Sequence, residues 1–259
     1  MQETKIGILA SGKGTGLRAI LDHIRLGVLV NVRVVCVIVN NHNVEIIKRA
    51  LDAGITTTFV EGVAGKKFAS AHEKERKRGE FDDVVSKVFF DYSVNLIVCV
   101  GFNQVLSGIL VGMYPNKIMN IHPAYDITRF GGVGMVGLKV HEAVIKAQEK
   151  VSGCTVHYID STVDKGPVIL TASVPVFKGD TPERLSDRVS VLEHRTYPKA
   201  IQLHVDRRIT VQNRNIVLDL DDGWNSKWNE RQNRYIVYQE EVWREMGKDI
   251  EEMFTAPKN

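Results

Sequence analysis

Short apolar runs of strand length alternate with segments of helical periodicity through the first half of the chain. We predict four strands there: Lys5–Ala10, Val32–Val39, Thr56–Val60 and Asn95–Val100. Apolar residues recur at helical spacing from Thr15, directly after the first strand, and again before the fourth. Strands that alternate with helices require crossover connections, which are right-handed and produce a parallel sheet. A nearly continuous apolar run such as Val32–Val39 also indicates a sheet that is covered on both faces.

The second half of the chain has a different order of elements. A strand at Lys117–Ile121 leads into a glycine-rich loop and then a helix that begins at Leu138. Two further strands, Val151–Ile159 and Val168–Val176, are joined by an Asp-Lys-Gly turn, which predicts an antiparallel hairpin. The predicted fold class is therefore α/β: a three-layer, Rossmann-like and mostly parallel sheet with helices on both faces, mixed with antiparallel strands in the C-terminal half.

We predict one domain over residues 1–209, with halves at 1–115 and 116–209, and a C-terminal extension over residues 210–259. The extension begins with short β-like pieces and ends in a helix-like stretch over Tyr235–Phe254. The sequence contains no internal repeat and no low-complexity tract.

Composition and charge exclude several classes of protein. The 259 residues carry a formal net charge of +3, which is too small to indicate a nucleic-acid partner. No apolar stretch is long enough to span a bilayer, and the first residues lack the features of a signal peptide. Cys36, Cys99 and Cys154 lie in apolar runs, which predicts buried free thiols in a reducing compartment. We therefore expect a cytoplasmic protein without a membrane partner, present as a monomer or a homodimer.

The turn between the first strand and the first helix, Ser11-Gly12-Lys13-Gly14-Thr15-Gly16, is a candidate anion site. Backbone N–H groups at the start of a helix point towards such a turn, and the helix dipole favours a negative charge there. A Walker loop would need Ser or Thr where Gly14 stands, and a dinucleotide fingerprint would need a third glycine where Leu17 stands. The pattern favours a phosphate group, and the alternative is a tight turn that binds nothing.

Asn120 and His122 form a second candidate site at the end of a strand. Alternate residues of a strand project to the same face, so the amide and the imidazole lie side by side at the edge where open α/β sheets bind ligands. An amide N–H and an imidazole can stabilise an oxyanion and supply a proton. Asp164 could orient His122 if its turn folds back over this strand end. The alternatives are a hydrogen-bonded histidine at a strand end and an aspartate that only forms a turn. No histidine or cysteine spacing indicates a metal site.

Four segments taken together resemble the phosphoribosylglycinamide formyltransferases, a family of formyltetrahydrofolate-dependent enzymes of purine synthesis. The segments are Ile8–Thr15, Met119–Pro123, Gly153–Tyr158 with Asp164–Ile169, and Glu193–Pro198. The resemblance runs from about Lys5 to Ile209. The Asn-Ile-His-Pro motif is shared with other formyl-folate enzymes, whereas the Ser-Gly-x-Gly-Thr loop and the Glu-His-x-x-Tyr-Pro segment narrow the choice.

The resemblance implies transfer of a formyl group from 10-formyltetrahydrofolate to the amine of glycinamide ribonucleotide, through a tetrahedral intermediate and without a metal. Asn120 would hydrogen-bond the formyl oxygen, His122 would be the cationic donor, and Asp164 would orient His122. The loop over residues 11–16 would hold the substrate phosphate, with Glu193 on the ribose. The folate would contact Phe102, Asn103, Gln104, Val105, Leu106, Asp160, Val163 and Gly166. Residues 1–115 would thus form a phosphate-binding half, and residues 116–209 a catalytic and folate-binding half.

Three places depart from the usual pattern of this family. Gly16 stands where Asn is usual, Asn103-Gln104 where Met-Arg or Leu-Lys is usual, and Ala124–Ile127 where Ser-Leu-Leu-Pro is usual. The three residues implied in catalysis are intact. The alternatives that stay open are a formyltetrahydrofolate hydrolase, another formyltransferase, and a non-catalytic relative that binds a phosphorylated metabolite.

Overall fold

The computed structural model describes residues 3–42 and 45–257. The strands are β1 (Thr4–Ala10), β2 (Val32–Val39), β3 (Thr56–Phe59), β4 (Leu96–Val100), β5 (Ile118–His122), β6 (Val151–Tyr158), β7 (Val168–Pro175), β8 (Ile209–Gln212) and β9 (Asn215–Leu218). The helices are α1 (Thr15–Arg25), α2 (Glu45–Asp52), α3 (Ala71–Asp91), α4 (Gly108–Met113), α5 (Ile127–Phe130), α6 (Leu138–Lys146), α7 (Pro182–Val205), α8 (Asp222–Glu245) and α9 (Ile250–Met253).

The main sheet has seven strands in the order β3-β2-β1-β4-β5-β6-β7 and is mostly parallel. β1 pairs in parallel with β2 and β4, β2 pairs with β3, and β4 pairs with β5. β6 and β7 pair antiparallel, with Thr155 opposite Thr171, so the predicted hairpin is confirmed. The strand order reverses at β1, and sheets of this kind bind ligands beyond the carboxyl ends of the strands at such a reversal.

Both faces of the central strands are buried. Leu9 and Cys36 project into a core that includes residues of α3 and α4. Their neighbours Ile8 and Val37 point to the other face and are 0% exposed. The Rossmann-like α/β class predicted from the sequence is confirmed, and the three cysteines are buried free thiols, as predicted.

The chain forms two compact units that do not follow the predicted boundaries at residues 115 and 209. The first unit consists of the described residues within 1–18, 31–120 and 158–166, and the second of those within 19–30, 121–157 and 167–259. The extension after residue 209 therefore belongs to the same unit as α6 and α7. Each unit is defined by contacts in space and therefore contains several separate segments of the chain. A domain predicted from sequence is instead one continuous segment.

The helix expected over Tyr235–Phe254 was misplaced. α8 begins thirteen residues earlier, at Asp222, where the carboxylate of Asp221 accepts the N–H of Trp224 at 2.6 Å and caps the helix. Trp224 and Trp228 then stack with 5.9 Å between ring centroids and bury the first turns against the second unit. α8 ends at Glu245, just before Gly247 (φ +72°), and α9 is a separate short helix.

Two short helices, α4 and α5, are absent from the sequence-based expectations. Each is too short for a periodic pattern, and each is started by a capping side chain, Ser107 for α4 and Asp126 for α5. Asparagine is a common N-cap, which predicts a helix cap at Asn43, but that position lies outside the described residues. No helix within the described ranges is both long and apolar enough to cross a membrane.

Candidate active site

The loop between β1 and α1 presents backbone N–H groups at a helix N-terminus. The first bond of α1 runs from the N–H of Arg18 to the carbonyl of Gly14 at 3.0 Å. The N–H groups of residues 15–17 therefore have no acceptor within the helix. Lys13 and Thr15 are exposed beside them. Backbone donors, a helix dipole and a lysine are suited to bind a phosphate or a carboxylate.

The glycines of this loop fit closely against its surroundings. Gly14 has a φ of +76°, and a Cβ there would lie 2.7 Å from the Cβ of Ile46 on α2. A Cβ at Gly16 would lie 3.0 Å from a methyl group of Val100 on β4. Packing alone therefore accounts for glycine at Gly14, and the asparagine usual at position 16 would need Val100 to move.

Arg49 on α2 is a cation that sequence reasoning missed. Its Nε donates to the carbonyl of Lys13 at 3.1 Å, and its Nη2 bonds Glu45 at 3.0 Å. The guanidinium therefore anchors the loop and adds positive charge beside it. Nothing in the local sequence separates Arg49 from other surface arginines, because the contact depends on how α2 packs on the loop.

The hydroxyl of Ser11 is engaged by the segment that follows β4. Ser11 Oγ accepts the backbone N–H of Asn103 at 3.0 Å and donates to Asn103 Oδ1 at 2.8 Å. Asn40, at the end of β2, donates from Nδ2 to the same Oδ1 at 3.2 Å. Three loops at the carboxyl ends of β1, β2 and β4 are thus joined by one amide.

The other residues after β4 that are expected to contact folate, at positions 102 and 104–106, are buried to different degrees. Gln104 is 7% exposed, and its Oε1 accepts the N–H of Val63 at 2.7 Å. Phe102 lies 6.1 Å from the ring of Phe81, and Leu106 packs on the core beneath the segment. Val105, like Phe102, is half-buried. The structure places this segment at the carboxyl edge of the sheet, and its role in folate binding stays a prediction.

Asn120 and the turn over residues 160–166 belong to the first unit. The N–H of Ile159 donates to the carbonyl of Ile118 at 2.8 Å, which ties the start of the turn to the strand that carries Asn120. A Cβ at Gly166 would lie only 1.8 Å from the carbonyl oxygen of Tyr158, so only glycine allows the turn to close there.

Asp164 adopts a left-handed backbone conformation within this turn. Its φ is +53°, a value that Asp and Asn tolerate better than most residues. Asp160 stabilises the same turn, since its Oδ1 accepts the N–H of Thr162 at 2.8 Å. Val163 and Asp164 are both half-buried. Such a strained position is a common setting for a functional side chain.

His122 ends β5 and lies in the second unit. It is 5% exposed, and its Nε2–H donates to the carbonyl of Phe130 at 2.8 Å. Because a carbonyl oxygen only accepts, this bond assigns the hydrogen to Nε2 and fixes the orientation of the ring. Burial, with a smaller contribution from His122, lowers the pKa of the adjacent His141 to about 4.

The segment that departs from the family pattern after His122 forms its own short helix. Asp126 accepts the N–H of Thr128 at 3.0 Å and that of Arg129 at 3.3 Å, and it accepts the Thr128 hydroxyl at 2.6 Å. The bond from Thr128 lowers the pKa of Asp126. The acid gained at this position therefore has a structural role, the start of α5, which carries the Phe130 carbonyl to His122.

Glu193 lies on α7 in the second unit. Burial raises the pKa of its carboxyl group to about 7, and the same carboxylate contributes to the raised pKa of Cys154. A half-buried carboxyl group of this kind is suited to accept hydrogen bonds from ligand hydroxyls.

The predicted residues are thus distributed over both units. The first contains residues 11–16, 102–106, Asn120 and the turn over 160–166, and the second contains His122 and Glu193. Among the residues that the structure describes, no group of three or more histidines, cysteines or carboxylates could hold a metal ion.

A family model described as formyl transferase matches residues 4–201. The chain belongs to the formyl transferase family. The resemblance carried by the four sequence segments is therefore confirmed, and the motifs of residues 8–15, 119–123, 153–158 and 193–198 all lie within the matched range.

Among members of this family, the chain is similar to phosphoribosylglycinamide formyltransferase of Escherichia coli, with 30% identity over 214 residues that cover 83% of this chain and 93% of that protein. It is 37% identical over 201 residues to the trifunctional purine biosynthetic protein adenosine-3 of Gallus gallus, and this match covers 78% of this chain but 18% of that protein. A solved structure, glycinamide ribonucleotide transformylase 1 from Symbiobacterium toebii, superposes with a TM-score of 0.73 at 34% identity and covers 85% of this chain and 95% of that one.

The formyl transferase match ends at residue 201, before β8. The extension after residue 209, with α8 and α9, therefore lies outside the family model. The four segments that carry the resemblance also stop before this point, at Pro198, and the domain boundary at residue 209 stays a prediction.

Proposed function

We propose that this protein transfers a formyl group from 10-formyltetrahydrofolate to the amine of glycinamide ribonucleotide, a step of purine synthesis. The observation that carries the proposal is the loop over residues 11–16, where the first bond of α1 begins at Arg18 and leaves the preceding backbone N–H groups without an acceptor in the helix, at the end of β1. A formyl acceptor with a phosphate group needs such an anion site. The similarity to the E. coli enzyme over 93% of its length supports the same conclusion.

The chemistry proposed for Asn120, His122 and Asp164 is direct transfer. The acceptor amine attacks the formyl carbon, and the carbonyl oxygen becomes an oxyanion in the tetrahedral intermediate. The Asn120 amide and the protonated His122 donate hydrogen bonds to that oxygen. Asp164 favours the cationic imidazole and assists the proton that leaves the amine. The bond from the formyl carbon to the folate nitrogen then breaks, and that nitrogen takes up a proton.

Substrate binding is proposed for further residues of the two units. The N–H groups at Thr15 and Gly16, with Lys13 and Arg49, would neutralise the phosphate, and Glu193 would accept the ribose hydroxyls. The segment over residues 102–106 and the turn over 160–166 would bind the folate. No metal is needed, since the oxyanion is stabilised by side chains. The partners in this proposal are small molecules, and neither a nucleic acid nor a membrane is involved.

One assay separates this function from its alternatives. The protein is incubated with 10-formyltetrahydrofolate, with and without glycinamide ribonucleotide, and the release of tetrahydrofolate is followed by absorbance. Release that requires the acceptor supports the transferase. Release without acceptor supports a formyltetrahydrofolate hydrolase. No release under either condition supports a non-catalytic relative and contradicts the proposal.

A further inference from the structure

The hydrogen bonds of Asn103 determine which way its side-chain amide is oriented. Ser11 Oγ already accepts the N–H of Asn103 at 3.0 Å, so its own hydrogen is directed to Asn103 Oδ1 at 2.8 Å. The Nδ2 of Asn40 reaches the same oxygen at 3.2 Å. Asn103 Oδ1 thus accepts two bonds from two other loops.

A fourth loop, which follows β3, is fitted against the same group of amides. A Cβ at Gly62 would lie 3.0 Å from Asn40 Nδ2 and 2.4 Å from Gln104 Oε1. The neighbouring N–H of Val63 donates to that Gln104 oxygen at 2.7 Å. The side chains of Asn40, Asn103 and Gln104 therefore connect the carboxyl ends of β1, β2, β3 and β4.

This connection bears on the anion loop because Ser11 is its first residue. Beyond Ser11, the loop is held by the bond from Arg49 to Lys13 and by the fit of Gly14 against Ile46 and of Gly16 against Val100. An anion site built from backbone N–H groups binds well only when those groups are held in place before the ligand arrives. Met-Arg or Leu-Lys is usual at positions 103 and 104 in this family. In this chain the side-chain amides of Asn103 and Gln104 instead form hydrogen bonds that connect neighbouring loops.

We propose that Asn103 is a positioning residue that fixes the phosphate loop through Ser11 and so sets the affinity for the phosphate group of the acceptor. The inference rests on the proposed function for the identity of the acceptor. It differs from the expectation that Asn103 contacts folate, because it predicts an effect on the phosphate and not on the folate.

The test measures phosphate binding apart from catalysis. Ribose 5-phosphate is titrated into the full chain by calorimetry, with ribose as the matched ligand that lacks the phosphate. Loss of the Oδ1 bonds in Asn103→Ala should weaken ribose 5-phosphate binding about three- to tenfold, because a net hydrogen bond of this kind changes affinity by that factor. Asn40→Ala, which removes one of the two bonds, should have a smaller effect in the same direction. Asn229→Ala, at an exposed asparagine of α8, is the control and should leave binding unchanged.

A double-mutant cycle identifies the route of the effect. If Asn103 acts through Ser11, the double variant Ser11→Ala/Asn103→Ala should bind ribose 5-phosphate no more weakly than the worse single variant, to within about twofold. In the formyl-transfer assay, Asn103→Ala should raise the KM for glycinamide ribonucleotide by more than it lowers kcat.

Three results would overturn the inference: unchanged ribose 5-phosphate binding by Asn103→Ala, additive losses in the cycle, or a rise in the KM for the folate alone. A wild-type protein that fails to bind ribose 5-phosphate would overturn it as well. Failure of the proposed function has a different signature, namely normal ribose 5-phosphate binding, weakened by Asn103→Ala, without acceptor-dependent release of tetrahydrofolate.

Discussion

At the scale of single residues, His122 carries the proposed proton transfer. Its Nε2–H donates to the Phe130 carbonyl, which fixes the orientation of the ring. We expect His122→Ala and Asp164→Asn each to lower kcat for tetrahydrofolate release by about 100- to 10,000-fold, the range typical of a general acid or base. Ribose 5-phosphate binding, followed by calorimetry, should stay within about twofold of wild type. Full activity of either variant would contradict the mechanism.

A second residue-scale prediction concerns the buried amide of Gln104. Gln104→Ala removes the acceptor of the Val63 N–H, and an unsatisfied buried donor costs about 1–3 kcal/mol. We expect the free energy of unfolding in urea to fall by about that amount. Gln212→Ala, at an exposed glutamine on β8, is the control and should change it by less than about 0.5 kcal/mol. Equal effects of the two variants would mean that the Gln104 amide does not stabilise the loop.

These residues show where prediction from sequence stops. Asn120, His122 and Asp164 stand out in the sequence because motif and strand geometry are local properties, and their catalytic roles stay predictions. The sequence also shows that Asn103 and Gln104 differ from the residues usual in the family. Their partners, Ser11 and Val63, lie in loops that are far from them in the chain. The direction of an amide is set by such contacts, and the sequence contains no local signal of it.

At the scale of elements, α8 is held by its aromatic face. Trp228 is 0% exposed and packs in a cluster with Trp224, Tyr235 and Leu203. Trp228→Ala should lower the free energy of unfolding by about 3–5 kcal/mol, as large-to-small changes in a core do. Val237→Ala, at a residue of the same helix that is 58% exposed, is the matched control and should have little effect. A small loss in Trp228→Ala, measured by urea denaturation, would show that α8 contributes little to the stability of the unit.

The elements differ in how well the sequence predicted them. β1 to β7 were each located to within two residues, because buried strands are short apolar runs with clear ends. α8 was misplaced because its buried face is made of tryptophan and tyrosine among polar residues, while the expectation relied on aliphatic periodicity. The start of α8 was instead marked by Asp221, whose cap is a local signal that was not used.

At the scale of the whole molecule, three ionisable groups with shifted pKa values contribute to the response of stability to pH near neutrality. Burial lowers the pKa of His23 to about 3 and that of His141 to about 4. Burial raises the pKa of Glu193 to about 7. At mildly acidic pH both histidines are therefore neutral in the folded chain, whereas they are protonated in the unfolded chain. Glu193 behaves in the opposite way, since it keeps its proton in the folded chain and loses it in the unfolded chain.

The sign of each contribution follows from proton binding in the two states. At pH 5 the unfolded chain holds nearly two protons on these histidines and little on Glu193, whereas the folded chain holds only the proton on Glu193, so the unfolded chain binds about one proton more. Stability therefore rises with pH from there. The unfolded histidines, with an ordinary pKa of about 6.5, lose their protons over the range in which folded Glu193 loses its own, so the two contributions balance at about pH 7. These groups together make the stability level off near that pH.

The Glu193 contribution can be isolated by Glu193→Gln, which keeps the shape and cannot ionise. Below about pH 4.5 both folded and unfolded chains protonate this carboxyl group, so the variant should differ little from wild type there. As pH rises through 7, wild type bears the cost of a carboxylate withdrawn from water and the variant does not. Glu193→Gln should therefore gain about 1–3 kcal/mol on wild type between pH 5 and pH 8, measured by urea denaturation at both values. A constant difference between the two proteins would show that Glu193 ionises as readily in the folded chain as in water.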